Sequence, residues 1–433
     1  MATRAEFGRS LSQPEDIDGG SGAPWKQRIY ASIYRLRYGW SFQSSFTFGE
    51  SPIWLLGVLY HPDREGPAPH AGLEGVPKHV IDATEHFQSL SWMTYRTNFP
   101  PLYNGPTAFT TDCGWGCMIR SGQMLLATAL HFHTGLKNWR LSSGDRDAEA
   151  MVKHKQILSC FLDSPDNPFS LHALMDYASK LGDHKPGDWF GPSQVAVLIK
   201  EALKGQLEKT QLSNTLSAYV AHDCTVYIGD IEKLFEDGKR SVLLLVPIRL
   251  GSDVFNRIYI PCVKSILTLE QCVGIIGGKP KHSVYFVGHQ DDNLIHLDPH
   301  FSQPSSSPLS SVNLQSYHCL TIRKLPASKM DPSCTVGFYC KNIDEFHSLC
   351  SHAEPMLSPP QQRAMYPFFT FAKGCQDTVL DCTINMQFRT TRGGHPSSFD
   401  AQGSGEEEEE FIVVDCKVPP SDCTELGASL KKR

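Results

Sequence analysis

A junction between a turn and a helix constrains the fold of this chain more than any other part of its sequence. It is the stretch Thr111-Asp112-Cys113-Gly114-Trp115-Gly116-Cys117-Met118-Ile119-Arg120, in which glycines flank a tryptophan directly before a periodic apolar segment. Apolar side chains follow at helical spacing, and a glycine is placed to end the helix: Met124, Leu125, Leu126, Ala129, Leu130 and Gly135. We therefore predict a glycine-rich turn and an amphipathic helix that begins near Cys117.

The position of Cys117 at the start of this helix predicts a reactive thiol. The first turn of a helix has unpaired backbone N–H groups and the positive end of the helix dipole, and both favour thiolate over thiol. Because the thiolate is the nucleophilic form, we predict a cysteine-nucleophile enzyme with the sulfur of Cys117 as the attacking atom. The sequence leaves open whether Cys113, one short turn upstream, is a redox-sensitive neighbour or a packing residue.

Length and composition are those of a globular protein and exclude several functional classes. The chain has 433 residues, enough for one large domain or two modest ones, and a formal net charge of −6. Because it has no basic domain or arm, we expect no binding to nucleic acids. The N-terminus lacks the apolar core of a secretory signal, and the apolar runs, such as Trp54–Tyr60, are too short to span a bilayer. We expect a cytoplasmic protein with reduced thiols.

The 14 cysteines do not have the spacing of a metal site. The chain contains neither a pair of cysteines separated by two residues nor the zinc-binding pattern H-E-x-x-H. No further pair at suitable spacing completes a zinc set with Cys113 and Cys117. We therefore expect no metal and no organic cofactor. Cys334 and Cys340 fit small buried hydrophobic residues of a strand.

Changes in composition divide the chain into three parts. Residues 1–24 are rich in Gly, Ser, Asp and Glu, so we predict a disordered tail there. We predict that residues 25–390 are folded and that residues 391–433 form a disordered acidic tail. At the start of the folded part, Trp25–Trp40 combines apolar and basic residues at helical spacing. Such a helix lies on a membrane surface or docks on its own domain, and we favour docking.

Local patterns predict both helices and strands. We predict a buried strand over Ser51–Tyr60, a helix over His79–Phe99 that ends at Pro100-Pro101, and helices within Ile157–Leu181. From Ser241 onward the patterns indicate strands, which are Ser241–Ile248, Ser283–Gly288, Leu294–Leu297 and Cys334–Cys340. A turn-rich link joins the second and third of these strands, so they are predicted to form a hairpin.

The tripeptide Asp298-Pro299-His300 offers the base that a cysteine nucleophile needs. In an extended chain residues i and i+2 point to the same face, and the proline favours an extended conformation before it. Asp298 then accepts a hydrogen bond from His300, fixes its tautomer and raises its pKa. The alternative is a simple turn after a strand, and it is favoured when the tripeptide is taken alone. Coupled to the junction at Cys117, the catalytic interpretation is the stronger one.

Four motifs occur in an order that resembles the autophagins, the autophagy-related cysteine proteases that process ubiquitin-like modifiers of the GABARAP class. They are Gly114-Trp115-Gly116-Cys117-Met118, Gly187-Asp188-Trp189-Phe190-Gly191-Pro192, Gly274-Ile275-Ile276-Gly277-Gly278-Lys279-Pro280 and Asp298-Pro299-His300. Asp331–Tyr339 adds a further match, and the resemblance covers residues 25–390. Asp223–Tyr227 and Cys113 are more similar to the C and D paralogue type than to the A and B type.

The resemblance implies an α+β, papain-like fold with a small additional finger-like subdomain inserted in a catalytic domain of residues 25–390. It implies that Cys117 is the nucleophile, His300 the base and Asp298 the group that orients the base. It also implies that Tyr95 helps to stabilise the oxyanion, together with backbone N–H groups near Cys117. The alternative for Tyr95 is a core aromatic residue with a hydrogen-bonded hydroxyl.

The resemblance further implies cleavage of a modifier precursor after its C-terminal glycine, and release of the modifier from phosphatidylethanolamine. GABARAP-class modifiers and their lipidated forms are the expected partners, and transient association with membranes is compatible with them. Trp189 and a covering loop with Gly277, Gly278, Lys279 and Pro280 are expected to bind the substrate, leaving room only for a residue without a side chain. The alternative for Trp189 is ordinary core packing.

A second binding element is predicted in the acidic tail, where Glu406–Glu410 precedes Phe411-Ile412-Val413-Val414-Asp415. An aromatic residue, two intervening residues and an aliphatic one, preceded by acids, resemble the motif that binds GABARAP-type modifiers. Phe411 and Val414 would fill two apolar pockets while the segment adds a strand to the modifier's sheet. The alternative is a solvated run of charge in a disordered tail, and we favour binding.

Two other functions stay open at this point. A deubiquitinase-like or transglutaminase-like enzyme would share a similar papain-like core. An autoinhibited or weakly active paralogue would act mainly by binding modifiers through its tail. The presence of Cys117, Asp298 and His300 argues against an outright loss of activity.

Overall fold

The computed structural model describes residues 48–49, 51–62, 76–142, 147–182, 184–206, 215–279, 282–305, 314–360 and 366–377. The predicted tails at residues 1–24 and 391–433, the basic helix over Trp25–Trp40 and the motif with Phe411 and Val414 lie outside these residues. The boundaries drawn there therefore stay predictions.

The junction at Cys117 folds into the turn and helix that its sequence predicts. Gly114 has a φ of 91°, which a side chain would disfavour, and Gly135 has a φ of 81° just after the helix ends. The described α-helices are α1 Lys78–Ser89, α2 Cys117–His133, α3 Ala148–Ser159, α4 Leu171–Gly182, α5 Pro192–Gln206, α6 Ile228–Leu234, α7 Ile260–Ile266 and α8 Ile343–Ala353. Within the described ranges, no helix has the length and apolar character needed to cross a membrane.

Most of the strands join one large mixed sheet. The strands are β1 Ile53–Leu55, β2 Val58–Tyr60, β3 Tyr95–Asn104, β4 Thr107–Thr111, β5 Leu216–Val220, β6 Thr225–Tyr227, β7 Ser241–Arg249, β8 Cys272–Lys279, β9 His282–Gln290, β10 Asn293–Leu297, β11 Ser302–Pro304, β12 Arg323–Pro326, β13 Ser333–Cys340 and β14 Thr370–Ala372. The large sheet has the order β12-β10-β9-β8-β13-β7-β5, and β1 pairs with β9 and with β2. Separately, β3 lies between β11 and β4, and β14 pairs with β6.

Both faces of the large sheet are covered, which explains why its strands are apolar throughout. On β7, Leu243 and Leu245 join the core that α1 to α5 share, whereas Val242, Leu244 and Val246 join the core of α6 to α8. The two sets alternate because successive residues of a strand project to opposite faces. Helix α2 packs on β8, β9 and β13. The α+β class is confirmed.

The strands predicted after Ser241 are confirmed within two residues, as β7, β9, β10 and β13. The helices predicted within Ile157–Leu181 are the end of α3 and nearly all of α4. The single strand predicted over Ser51–Tyr60 is wrong, because the segment folds into the tight hairpin of β1 and β2. Leu56 and Gly57 turn the chain with φ values of 44° and 78°, a twist that suits short hairpins.

The helix predicted over His79–Phe99 is also wrong in its second half. Helix α1 ends at Ser89, and Tyr95 is the first residue of β3. The strand forms because Tyr95–Thr97 pair in parallel with β11, some two hundred residues later in the chain. A tertiary contact of this kind overrides a local helical pattern.

Candidate active site

The backbone of the turn before α2 fixes the position of Cys117. The carbonyl oxygen of Asp112 accepts hydrogen bonds from the N–H groups of Trp115, at 3.2 Å, and of Gly116, at 2.9 Å. A Cβ atom on Gly116 would stand 2.5 Å from Oδ2 of Asp112, so this close approach requires glycine. Helix α2 begins at the next residue, and no side chain caps its N-terminus. Cys117 therefore lies at the positive end of the helix dipole.

The surroundings of Cys117 favour its thiolate. Burial acts to raise the pKa of the Cys117 thiol, but a hydrogen bond from His300 and the positive charge of that ring act against it. The backbone N–H of Ser283 and the hydroxyl of Tyr95 also donate to the sulfur, and the net effect is a lowered pKa. A cysteine whose pKa is lowered in this way is a candidate nucleophile.

Asp298 and His300 meet in a turn rather than on an extended ribbon. Oδ1 of Asp298 accepts the backbone N–H of His300 at 3.0 Å and the ring Nδ1–H of the same residue at 2.7 Å. The first bond is typical of turns in which an aspartate carboxylate binds the N–H two residues later. The extended conformation predicted for Asp298-Pro299-His300 is therefore wrong, although the hydrogen bond from His300 to Asp298 is present.

Asp298 and His300 hold each other in their charged forms. Burial acts to raise the pKa of Asp298, but the charge of His300 and hydrogen bonds from His282 and His300 hold it well below its usual range. Burial acts to lower the pKa of His300, yet the Asp298 carboxylate raises it to about 9, helped by the hydrogen bond to Cys117. At neutral pH Asp298 is therefore a carboxylate and His300 an imidazolium, and the charge of His300 favours the thiolate form of Cys117.

The start of β3 positions Tyr95 against both Cys117 and His300. The backbone N–H of Tyr95 donates to the carbonyl oxygen of Pro299 at 2.9 Å. Its ring meets the ring of His300 nearly at right angles, with 5.3 Å between the ring centres. Tyr95 packs in one buried cluster with Cys117, and its hydroxyl helps to lower the pKa of the Cys117 thiol. Tyr95 is thus buried, but its polar end faces the candidate site.

A cleft of about 210 Å³ opens beside Cys117. Trp189 lines this cleft and is 56% exposed, so its indole forms a wall and does not pack in the core. His282, Asp331 and Ser333 are among the other lining residues. The cleft thus combines an indole wall with several polar side chains around the thiol.

Gly277 and Gly278 also line the cleft, from the end of β8. The covering loop predicted for them is in part a strand, because both glycines and Lys279 pair with β9. A Cβ atom on Gly278 would collide with the carbonyl oxygen of His282, so the tight pairing requires glycine. Pro280 lies outside the described residues.

A buried ion-pair network, which the sequence analysis missed, holds the junction in place. Arg120, in the first turn of α2, binds Asp112 through Nε at 2.7 Å and Asp163 through Nη1 at 2.9 Å. Oδ1 of Asp112 also accepts the backbone N–H of Arg96 at 2.7 Å. The turn, the helix and β3 are thereby tied together. The signal in the sequence was a single arginine in the first turn of the predicted helix.

His282, the first residue of β9, was missed as well. Its ring stacks on the ring of His300, with 3.6 Å between the ring centres and 7° between the planes. Its Nε2 atom lies 3.6 Å from Oδ2 of Asp298. In the part of the chain that the structure describes, these three side chains are close enough to be considered as metal ligands. Each ring, however, turns a nitrogen to a different oxygen of Asp298, which suits two N–H groups shared by one carboxylate better than lone pairs directed at a single ion.

The sequence of this chain is similar to those of known cysteine proteases. The profile of the peptidase C54 catalytic domain matches residues 81–352. The chain is 38% identical to the cysteine protease ATG4D of Xenopus laevis, over 81% of each chain. It is 35% identical to the cysteine protease ATG4C of Homo sapiens, over 81% of this chain and 89% of that protein. It is 34% identical to the probable cysteine protease atg4 of Aspergillus niger, over 72% and 86%.

Proposed function

The chain belongs to the peptidase C54 family of autophagy-related cysteine proteases, the autophagins, and we propose that it cleaves GABARAP-class ubiquitin-like modifier precursors after their C-terminal glycine. It is of the C and D paralogue type and has the α+β, papain-like fold. The observation that carries the proposal is the Cys117 thiol, whose pKa the Asp298–His300 pair lowers, beside a cleft walled by Trp189.

In the proposed reaction the sulfur of Cys117 attacks the carbonyl carbon of the glycine that precedes the scissile bond. The oxyanion that forms is stabilised by backbone N–H groups at the start of α2 and by the hydroxyl of Tyr95. His300 gives its proton to the leaving amine as the C–N bond breaks, which leaves a thioester on Cys117. Water then attacks the thioester, with His300 as the base, and the free carboxylate leaves. Asp298 keeps His300 in the required tautomer throughout.

The shape of the cleft supports cleavage after glycine. The indole of Trp189 and the two glycines at the end of β8 line the same cleft as the thiol of Cys117. A substrate residue that carries a side chain would have to displace one of these walls. Glycine has none, and its backbone reaches conformations that other residues avoid. The lipidated modifier presents the same glycine in an amide, so we propose that the enzyme also removes phosphatidylethanolamine.

The first test is cleavage of a GABARAP-class precursor extended beyond its glycine by the purified full chain. We expect mass spectrometry to find one cut, after the glycine, and no cut with Cys117→Ala. A ubiquitin precursor of the same design is the matched control and should stay intact. Equal cleavage of both precursors would contradict the proposal and favour a deubiquitinase-like enzyme. A chain without both tails should be assayed beside the full chain, since activity that appears only after truncation would indicate autoinhibition.

Trp189→Ala tests how the cleft selects glycine. We expect this variant to lose activity on the native precursor and to gain cleavage of a precursor with alanine before the scissile bond. The exposed Tyr103→Ala, on β3, serves as a control for the loss of a large exposed ring. If Trp189→Ala gains no tolerance for alanine, Trp189 does not set the specificity.

We also propose that the tail motif with Phe411 and Val414 binds the modifier, although it lies outside the described residues. Its support is the acidic run before an aromatic and an aliphatic residue, the pattern that suits β-strand addition. Deleting the residues after Gly405 should weaken modifier binding in calorimetry. An unchanged affinity would contradict this part of the proposal.

We propose the cytoplasm as the place of the reaction, because a thiol nucleophile must stay reduced. All eleven cysteines in the described ranges are free thiols, which supports a reducing compartment. The residues proposed to act in catalysis need no cofactor.

A further inference from the structure

We propose that His282 is a positioning residue, which stacks on the imidazole of His300 and so holds the base in the plane that reaches both Asp298 and Cys117. The inference rests on the proposed roles of Cys117 and His300. It adds a residue that no motif of the sequence marked, and it explains why two imidazoles lie face to face beside the thiol.

The base has to satisfy two partners at once. Nδ1 of His300 donates to Asp298 at 2.7 Å, and the same ring also hydrogen-bonds the sulfur of Cys117. The torsion that turns a histidine ring about its Cβ–Cγ bond is broad, so the side chain alone does not fix the ring plane. A rotation of the ring moves one nitrogen away from its partner. Something must therefore restrict that rotation if the thiolate–imidazolium pair is to persist.

The ring of His282 supplies this restriction. The planes of the His282 and His300 rings differ by 7°, and their centres are 3.6 Å apart. At this distance the two rings are in van der Waals contact over the whole face. Turning His300 about Cβ–Cγ would drive its edge into the neighbouring ring. The edge of Tyr95 packs on His300 as well, so the base is confined by two aromatic neighbours.

His282 is itself held firmly enough for this purpose. It begins β9, where its backbone pairs with Lys279 of β8, and its side chain is only 16% exposed. Its Nε2 atom lies 3.6 Å from Oδ2 of Asp298, the oxygen that His300 does not use. The next residue, Ser283, lines the cleft with Cys117, and its backbone N–H helps to lower the pKa of that thiol. One strand end thus lies beside the base, the carboxylate and the nucleophile.

Two substitutions separate the stack from other contributions of the side chain. His282→Ala removes the ring, whereas His282→Phe keeps a flat ring that can still stack but cannot contact the carboxylate. We expect kcat to fall about ten-fold in His282→Ala and by less than about three-fold in His282→Phe, since small misplacements of a catalytic group cost this much or more. We expect KM to stay nearly constant in both, because positioning acts on the chemical step.

The second measurement needs no modifier. The rate at which iodoacetamide alkylates Cys117 is followed against pH by mass spectrometry of the peptide that contains it. In His282→Ala the acidic limb of this profile should move to higher pH, because a misplaced His300 no longer stabilises the thiolate. In His282→Phe the profile should match that of the native chain. A merely structural role would lower the melting temperature without moving this limb.

The matched control is His347→Ala. His347 also contacts a carboxylate, Glu232, at 2.9 Å, but it lies on α8. Native kcat and an unmoved alkylation profile in His282→Ala would overturn the proposal, and so would a His282→Phe variant as impaired as His282→Ala. Because alkylation does not depend on the substrate, the positioning role can be refuted or supported even if the modifier proves not to be cleaved.

Discussion

Two groups of buried histidines in the described part of the chain have opposite acid–base chemistry. In one group, His300 hydrogen-bonds the carboxylate of Asp298. In the other, His131, His154 and His318 contact one another in a row, with nitrogen–nitrogen distances of 2.9 Å and 3.1 Å. The ends of this row contact backbone carbonyl oxygens, Nδ1 of His131 at 2.8 Å and Nδ1 of His318 at 3.0 Å. All of these rings are buried, so the partners and not the burial distinguish the groups.

The pKa values show that the partner of a buried histidine sets its charge. Burial lowers the pKa of His131 and His318 to about 4 and that of His154 to about 2, so the row is neutral. Burial acts on His300 in the same direction, but the charge of Asp298 reverses the outcome and raises its pKa to about 9. A buried histidine is therefore a structural neutral ring by default. It becomes a proton carrier only where a carboxylate shares its site.

The strongest way to break this contrast is Asp298→Asn, which makes the surroundings of His300 resemble those of the row. The amide supplies no charge and does not enforce the tautomer, so we expect kcat to fall by roughly a thousand-fold or more. We also expect the pKa of His300, measured by NMR, to drop below its native value of about 9. Asp292→Asn, at the exposed turn after β9, is the control. A loss of kcat smaller than ten-fold would mean that the carboxylate does not decide the chemistry of His300.

The second prediction uses the opposite pH dependences of the two groups. Rings that stay neutral in the fold but take up protons near pH 6.5 when unfolded cost stability as the pH falls below 6.5, by about 1.4 kcal/mol per pH unit for each ring. The His300 proton has the reverse sign, because its stabilisation is complete below about pH 6.5 and is lost as the pH rises through about 9. The free energy of unfolding should therefore decline as the pH falls below 6.5. On the alkaline side the loss from His300 is offset by Cys117, because the lowered pKa of that thiol contributes with the opposite sign.

His154→Phe tests the acidic side of this dependence. It keeps a flat ring but takes up no proton, so the decline of the unfolding free energy between pH 6.5 and pH 5 should become shallower by up to about 1.4 kcal/mol per pH unit. At pH 7 we expect a loss of about 1–3 kcal/mol, because a neutral His154 carries one N–H, and the ring nitrogen of His131 or His318 that accepts it loses its donor. Urea unfolding at several pH values measures both effects. Parallel curves for the two proteins would show that His154 is charged in the fold.

The smallest expected effect concerns two buried cysteines whose pKa values are shifted in opposite directions. Burial and the nearby charge of Asp112 raise the pKa of Cys113 to about 12, whereas His300 lowers that of Cys117. Iodoacetamide at pH 7.5 should therefore modify Cys117 and leave Cys113 intact, as peptide mass spectrometry can show. Cys113→Ala should change kcat by less than about two-fold, since its thiol packs beside Tyr95 and Cys117 and donates to Ser302 but takes no part in the proposed chemistry. Rapid alkylation of Cys113 would instead favour the redox-sensitive alternative.

Short-range patterns were sufficient for much of this molecule. The turn and helix at Cys117 follow from two glycines and an apolar period, and the apolar strands after Ser241 follow from their composition. The family is confirmed by comparison, and its motifs lie in the junction, the end of β8 and the turn at Asp298. Each of these features depends on residues that are close together in the chain, so the sequence itself holds the signal.

The sequence predictions that were wrong, and the contacts that were missed, share one physical cause. Tyr95 was expected in a helix, yet it lies in a strand because β11 pairs with it. Asp298 and His300 meet through a turn that the proline alone did not indicate. The stack of His282 on His300 has no local pattern, because a stacking contact depends on where two strand ends meet in space. Residue spacing reports local conformation, but it does not report which distant segments become neighbours.

Local residue patterns predict that a cysteine begins a helix after a glycine turn, and that an aspartate and a histidine follow a strand. The tertiary fold, by contrast, brings the Asp298–His300 pair against Cys117 and lets Arg120 tie the junction together through Asp112 and Asp163. It also leaves one group of buried histidines charged and the other neutral. The reason is that charge state depends on burial and on the nearest opposite charge, and both are set by packing between distant segments.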